Sequence, residues 1–129
     1  MREILFRGRD KHTGKFVYGH YYTTPYAGKN GEVNTIHFIS DIHSYGSHMV
    51  DPDTVGQFTG ITDADGKKVF EGDIIRVFGE TYACRWDDGN CEFGVSNKRE
   101  SFGIAYVYCP LMEVIGNIHD NPELVEVSK

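Results

Sequence analysis

Residues 50–78 read VDPDTVGQFTGITDADGKKVFEGDIIRVF, and their closely spaced turns constrain the fold more than any other stretch does. An Asp-Pro corner precedes a short alternating apolar run, and an Asp-Gly pair and a Glu-Gly-Asp triplet mark two further turns. The β-branched residues Ile74, Ile75 and Val77 follow. Glycine accepts the positive φ that tight turns require, and β-branched residues favour strands. The stretch therefore predicts a small β-domain of short, tightly turned strands.

The same pattern continues along the chain, with further strands predicted at 67–70, 73–78, 81–86, 91–95, 104–108 and 112–118. No stretch holds a 3.6-residue apolar period, so helix is limited to one or two short turns, at Pro52 and at Pro122. The predicted fold class is mainly β: a small SH3-like or similar bent-sheet barrel with an N-terminal β-hairpin.

The chain of 129 residues is long enough for one domain, and we divide that domain into four parts. An N-terminal hairpin is predicted at 2–22, and the barrel core at about 50–119. Pro25, Gly28 and Asn30-Gly31 indicate a loop-rich insertion at 23–49, although Asn-Gly also suits a hairpin tip. Residues 120–129 are assigned to a C-terminal tail. No apolar run reaches about 18 residues and the N-terminus is unlike a signal peptide, so we expect a cytoplasmic protein without a membrane span.

The charge balance bears on partners, because 19 acidic residues stand against 13 basic ones, for a net charge of −6. Nucleic-acid binding depends on a basic surface, so this balance does not favour it. Outside the N-terminal region the short basic pairs are Lys67-Lys68 and Lys98-Arg99. Such pairs on small domains most often form solvated surface, and that is the prediction for both.

Six histidines prompt the question of a metal site, since His37, His43 and His48 fall within one segment. They are weak candidates, because spacings of six and five residues fit no zinc motif. The three cysteines include no CxxC pair and are expected to be reduced thiols, with Cys84 buried in a strand. We predict no metal and no cofactor.

The acidic residues of the central stretch are assigned to turns. Asp63 and Asp65 precede a glycine too early for a calcium loop, whose twelfth position would be Ile74. Glu71 and Asp73, separated by one glycine, are interpreted as turn-capping groups in preference to a catalytic acid–base pair. No phosphate-binding loop, dinucleotide fingerprint or nucleophile elbow occurs, so no catalytic residue is predicted.

Four blocks stand in order along the chain: ILFRG at 4–8 with VYG at 17–19, TVGQFTG at 54–60, GKKVFEGDII at 66–75 and VIGNIHDNPEL at 114–124. Together they resemble the YopX protein family. The resemblance covers nearly the full chain, while 23–49 and 87–106 carry no family motif. It implies a small, mainly β protein encoded by a bacteriophage or prophage, with no assigned activity, catalytic residue or ligand residue to transfer.

The leading functional hypothesis is a phage accessory protein that binds another protein, or a second copy of itself, without catalysis. Surplus aromatic residues support it, and Tyr21, Tyr22, Tyr26 and Tyr45 are candidates for an exposed contact surface. Nucleic-acid binding by the barrel is the first alternative. An acidic mimic of nucleic acid and an enzyme of unrecognised type are the other two.

Overall fold

The computed structural model describes residues 2–107 and 109–125, and it confirms a mainly β fold with an N-terminal hairpin and short helical turns. The described residues form strands β1 (Phe6–Asp10), β2 (Phe16–Ala27), β3 (Val33–Asp41), β4 (Ser47–Thr62), β5 (Lys68–Phe70), β6 (Asp73–Val77), β7 (Glu80–Asp87), β8 (Glu92–Ser96), β9 (Ser101–Gly103) and β10 (Glu113–Asn117). Single 3-10 turns span Ile104–Tyr106, Cys109–Leu111 and Pro122–Leu124. The chain divides into two compact units, one built from Glu3–Gln57 and one from Phe58 onward.

The first unit is a closed antiparallel barrel of four strands. β1 pairs with both β2 and β4, β2 pairs with β3, and β3 pairs with β4, so the ring has no break. Ile39 and Val50 are fully buried inside it. A Cβ atom at Gly8 would lie 3.1 Å from Val50 Cβ and 3.2 Å from Ile39 Cδ1, so the absence of a side chain leaves room for these two residues.

The prediction of a loop-rich insertion at 23–49 is wrong, because most of this segment lies in β2, β3 and the start of β4. Pro25 belongs to β2 and pairs with Thr35 of β3, while Asn30-Gly31 lies in the turn between the two strands. Proline is compatible with a strand whose N–H side has no neighbour, which is its position here. The hairpin alternative for Asn-Gly was therefore the correct one.

The closed barrel also lies earlier in the chain than predicted, since β1 to β4 span residues 6–62 and the prediction placed the barrel at about 50–119. Its closure depends on pairs such as Arg7 with Gly56, far apart in sequence, which no local pattern reveals. Asp51 opens no helical turn at Pro52. Instead β4 bulges there, because the register with β1 shifts between Arg7 and Arg9.

The second unit contains a five-stranded antiparallel sheet in the order β10-β6-β7-β8-β9. Neighbouring residues of β6 point to opposite faces, and both faces are covered. Ile75 packs in the larger core cluster with Tyr82 and Met112, whereas Ile74 packs with Ala83 and Val125 on the other side. The continuous apolar run at 74–75 therefore reflects a strand that is buried on both faces.

The predicted strand at 104–108 is wrong, because Ile104–Tyr106 forms a 3-10 turn, and Tyr108 lies outside the described residues. Ile104 and Val107 both enter the larger core cluster. Residues three apart lie on the same side of a 3-10 turn, whereas in a strand they would point to opposite faces. Core packing therefore overrides the β-branched composition here. The turn predicted at Pro122 is confirmed as Pro122–Leu124, and residues 126–129 of the predicted tail lie outside the described part.

Asp63 and Asp65 belong to the turn between β4 and β5, as predicted. The Asp63 carboxylate accepts hydrogen bonds from the backbone N–H groups of Asp65 and Lys67, both at 2.9 Å, and from Val114 N–H at 3.0 Å. Burial raises the pKa of this carboxyl, but the three backbone N–H groups lower it more, so its pKa lies below the usual 3.8. Asp63 therefore ties the turn to β10 as a structural carboxylate.

Asp73 is also a structural group, because its carboxylate accepts a hydrogen bond from Phe70 N–H at 2.8 Å and is 2% exposed. This confirms its assignment as a turn-capping residue. Gly72, between Glu71 and Asp73, has a φ of +90°, which is a conformation that glycine adopts readily.

The turn between β6 and β7 holds a strained residue. Val77 pairs with Glu80, so Phe78 and Gly79 form a two-residue loop, and their φ angles are +56° and +75°. A loop with positive φ at both positions is the type I′ hairpin turn, which favours Asn-Gly. We expect Phe78→Asn to raise the free energy of unfolding by about 1 kcal/mol in urea titrations, because asparagine tolerates this conformation better and Phe78 is 60% exposed. Phe78→Ala is the control and should give no gain, since alanine keeps the strain.

Within the residues that the structure describes, no helix has the length and hydrophobicity that crossing a membrane requires.

Candidate protein-binding surface

The first unit contains a two-stranded arm, which is defined by where the pairing with β1 and β4 stops. β1 pairs with β2 only as far as Gly19, and β4 pairs with β3 only from Phe38 onward. In the described chain, residues 20–27 of β2 therefore pair with β3 alone, and residues 33–37 of β3 pair with β2 alone. We call residues 20–37 the arm. A two-stranded ribbon is marginally stable by itself, so an arm of this length invites a functional explanation.

One face of the arm and of the adjoining part of β4 carries aromatic and aliphatic side chains. Tyr22 lies opposite Phe38, and their rings stack with centroids 5.3 Å apart. Ile39 lies on the other face and is buried in the barrel, so this face points outward. We call it the aromatic face; its members are Tyr22, Tyr26, Ile36, Phe38 and Met49.

The strand residues of the aromatic face include no Asp, Glu, Lys or Arg, and the Glu32 carboxylate lies beside Asn34 at the tip of the arm. Tyr22 is 39% exposed and Tyr26 48%, while the other three members are half-buried. The remaining residues that the register places on this face are His20, Thr24, Asn34, Ser40 and Ser47. Aromatic residues and methionine are enriched at the centre of protein interfaces, and charged residues are depleted there. The composition of this face is thus that of an interface centre.

The structure separates the four tyrosines that the sequence singled out. Tyr22 and Tyr26 share the aromatic face, and the Tyr22 hydroxyl donates a hydrogen bond to Ser47 Oγ at 2.6 Å. Tyr21 points to the opposite face, where its hydroxyl lies 2.6 Å from His37 Nδ1. Tyr45 is fully exposed in the loop between β3 and β4. Two of the four candidates are therefore brought together.

The three candidate histidines do not form a ligand set. His37 stacks on Tyr21, with ring centroids 5.9 Å apart. His48 is held between two carboxylates: its Nδ1 lies 2.8 Å from Asp10 Oδ2, and its Nε2 lies 3.6 Å from Asp41 Oδ2. No group of three or more His, Cys, Asp or Glu side chains that could hold a metal occurs among the described residues.

The carboxylates around His48 are structural. The backbone N–H of His12 donates to Asp10 and is the main cause of its lowered pKa, with His48 adding to the effect. The backbone N–H of His43 lowers the pKa of Asp41 in the same way. Asp10 and Asp41 therefore stabilise the loops that follow β1 and β3, and His48 lies between the two carboxylates.

The family match is broad. A family model described as YopX protein matches residues 5–126, which include parts of both compact units. The chain belongs to the YopX family. No curated protein matches the sequence. Among solved structures, the chain is similar to the crystal structure of protein EF1440 from Enterococcus faecalis, with a TM-score of 0.53 and 23% identity over 98% of this chain and 100% of that one. At this identity the likeness concerns the fold alone.

The basic pairs of this YopX-family chain lie beside acidic or aromatic groups. Lys98 and Arg99 line a groove of about 710 Å³ together with Glu80 and Glu123, and the Arg99 guanidinium pairs with Glu80. In the other pair, the Lys68 ammonium lies 5.6 Å from the centre of the Phe58 ring. Neither pair contributes to a purely basic face of the kind that nucleic-acid binding uses.

Tyr82 and Glu100 form a pair that the sequence did not reveal. The Tyr82 hydroxyl is buried and donates a hydrogen bond to the Glu100 carboxylate. Burial, followed by this carboxylate, raises the pKa of Tyr82 to about 12, so the hydroxyl stays protonated at neutral pH. Of the thiols, Cys84 is buried, as predicted, and Cys91 is exposed.

Sequence reasoning found individual tyrosines of the YopX-family arm but missed the face that they share. Tyr22 and Tyr26 are spaced four apart and thus share one face of a strand, which was a usable signal. Ile36 and Phe38 alternate in the same way on β3. The two rows could be combined only with the register, which depends on the Gly28–Glu32 turn.

Proposed function

We propose that this YopX-family protein is a phage- or prophage-encoded accessory protein that acts in the bacterial cytoplasm by binding another protein, without catalysis. The observation that carries the proposal is the exposed, uncharged aromatic face of the arm. A face of this composition gains free energy when it is covered by a complementary apolar surface. The partner is therefore a protein with an apolar, weakly charged patch.

The same face favours a protein over a nucleic acid as the partner. Single-stranded nucleic acids bind to aromatic side chains that lie in a positively charged groove. The aromatic face has the rings, but its members include no lysine or arginine. Arg7 and Arg9 lie further along the same side of the sheet, where both guanidinium groups lie over the Phe16 ring. Salt-dependent binding of an oligonucleotide, followed by fluorescence anisotropy, would favour the nucleic-acid alternative over this proposal.

The experiment compares affinity capture from host lysate by the wild-type protein and by the double variant Tyr22→Ser/Tyr26→Ser. We expect the wild type to recover a stoichiometric partner and the variant to bind it at least about tenfold more weakly, because tyrosines at an interface centre carry much of the binding energy. Isothermal titration with the purified partner gives the ratio.

The matched control is Tyr45→Ser/Tyr106→Ser, which removes two exposed tyrosines outside the aromatic face. It should bind the partner like the wild type. Thermal unfolding followed by circular dichroism checks that both double variants stay folded. Equal affinity of the wild type and the aromatic-face variant for the partner would contradict the proposal.

A further inference from the structure

The arm has one open strand edge that lacks any protective device. β4 joins β3 from Phe38 onward, so the side of β3 at 33–36 that faces away from β2 has no strand neighbour in the described chain. Natural proteins usually blunt such edges with proline, lysine or a bulge, because an open edge pairs readily with another strand. Residues 33–36 of β3 contain none of these.

The phase of the ladder shows which backbone groups this edge presents. Hydrogen-bonded and non-hydrogen-bonded pairs alternate along an antiparallel ladder. Gly28 N–H donates to Glu32 C=O at 2.7 Å, and the register continues from there without a shift. Val33 and Thr35 therefore occupy non-hydrogen-bonded pairs, and their N–H and C=O groups point away from β2, toward the open edge.

The other edge of the arm differs, because β2 carries Pro25 opposite Thr35. By the same alternation, position 25 faces outward, and proline has no N–H to offer a neighbouring strand. The β2 edge is therefore blunted while the β3 edge is not. This asymmetry singles out β3 as the edge that accepts a strand.

We propose that the open edge of β3 pairs antiparallel with the same edge of a second copy of this chain. A twofold axis at Asn34 places Val33 opposite Thr35 of the partner subunit, and Asn34 opposite Asn34 of the partner subunit. In this register the outward N–H and C=O groups of Val33 and Thr35 all find partners. The two Asn34 amides meet on the aromatic side of the ribbon. Each donates a hydrogen bond to the Glu32 carboxylate of its own chain, and its second N–H and its oxygen can bond to the other copy.

Charge supports a second copy as the occupant. The chain carries a net charge of −6, so two copies repel each other over most of their surfaces. In this register residues 33–35 include no acidic or basic side chain, and Glu32 lies opposite the apolar Ile36 of the partner subunit. No two like charges are therefore directly paired at this edge, so like-charged copies can approach there. Val33, which is 77% exposed on the face opposite Asn34, gains a cross-strand neighbour in the dimer.

The dimer uses the edge of the arm and leaves the aromatic face uncovered. Dimerisation through the β3 edge therefore does not depend on partner binding through the aromatic face, and a result against one leaves the other standing. The two aromatic faces lie side by side on the resulting four-stranded ribbon, since Tyr26 and Asn34 share one face in each copy. A bivalent surface of this kind would bind a symmetric or repetitive protein partner more tightly than one copy does.

A first test is disulfide trapping of Asn34→Cys in a background in which Cys91 and Cys109 are replaced by serine. Directly opposed residues of a non-hydrogen-bonded antiparallel pair have Cα atoms about 4.5 Å apart, within the range of disulfides. We expect mild oxidation to convert this variant to a covalent dimer. Thr23→Cys, on the β2 edge, is the control and should stay largely uncrosslinked. Equal crosslinking of the two variants would overturn the proposal.

A second test measures association by light scattering and analytical ultracentrifugation over a dilution series. The wild type should dimerise, and Thr35→Pro should weaken dimerisation at least about tenfold, because it removes an N–H that bonds only to the partner subunit. Thr23→Pro makes the same change on the β2 edge and should dimerise like the wild type, as should Tyr22→Ser/Tyr26→Ser. A wild type that is monomeric throughout, or a Thr35→Pro variant that dimerises normally, would overturn the proposal.

Discussion

Replacing Asp63 with alanine is expected to lower the free energy of unfolding by about 3 to 5 kcal/mol at pH 7. The substitution removes the acceptor of three backbone N–H groups, two in the turn between β4 and β5 and one in β10. Asp63 is only 6% exposed, so water does not readily replace the carboxylate. Urea unfolding followed by tryptophan fluorescence and circular dichroism measures the loss.

Asp65→Ala is the control for this prediction, because Asp65 lies in the same turn with its side chain exposed. It should change the free energy of unfolding by no more than about 0.5 kcal/mol. Equal losses for the two variants would show that the turn, and not the bonds of the Asp63 carboxylate, carries the stability.

The Asp63 carboxylate also makes stability depend on pH. Its pKa in the folded protein lies below the usual 3.8, so its contribution is complete above the unfolded-state pKa and is lost as pH falls through the folded-state pKa. Asp63→Asn removes this titration. We expect the difference in unfolding free energy between wild type and Asp63→Asn to shrink over that acidic window, and to be constant between about pH 5 and 7.

The second large effect is expected at Gly19, where alanine should lower the free energy of unfolding by about 3 kcal/mol or more. A Cβ atom at this position would lie 1.7 Å from the backbone oxygen of Ser40 on the neighbouring strand. Backbone cannot rotate away as a side chain can, so β2 and β3 would have to separate at the base of the arm. Thermal and urea unfolding of Gly19→Ala measures the cost.

Gly14→Ala provides the comparison. Gly14 has a φ of +74° and open space around the position of a Cβ atom, so alanine there suffers only the conformational penalty. That penalty is about 1 kcal/mol. A cost at Gly19 no larger than the cost at Gly14 would contradict the steric explanation. Hydrogen exchange should further show that Gly19→Ala opens the arm before the second unit.

The local elements of the second unit were largely predictable from the sequence. The strands at 67–70, 73–78, 81–86, 91–95 and 112–118 correspond to β5, β6, β7, β8 and β10. These strands are recognised from side-chain alternation and from glycine-bearing turns, which depend only on residues a few positions apart. The same holds for carboxylates that accept hydrogen bonds from nearby N–H groups. Asp63 and Asp73 were assigned to turns on these grounds, and the structure confirms it.

The arm and the barrel were not predictable in this way. Pro25 and Gly28 indicate breaks in any local interpretation, yet residues 20–27 pair without interruption with residues 33–40. The closure of the barrel depends on β1 pairing with residues of β4 some 50 positions later, as in Arg7 with Gly56. The 3-10 turn at Ile104–Tyr106 was also missed, because packing of Ile104 and Val107 in one core outweighs the local preference for a strand.

The sequence by itself determined that this protein is mainly β, that its strands are short and turn-punctuated, and that it resembles the YopX family. These properties follow from residue preferences and side-chain alternation, which are local. Only the tertiary contacts show which strands close the barrel, that 20–37 form an arm, and that Tyr22, Tyr26, Ile36, Phe38 and Met49 share one exposed face. The reason is that register and strand partners depend on contacts between distant residues, and a shift of one residue would turn the aromatic face toward the barrel interior.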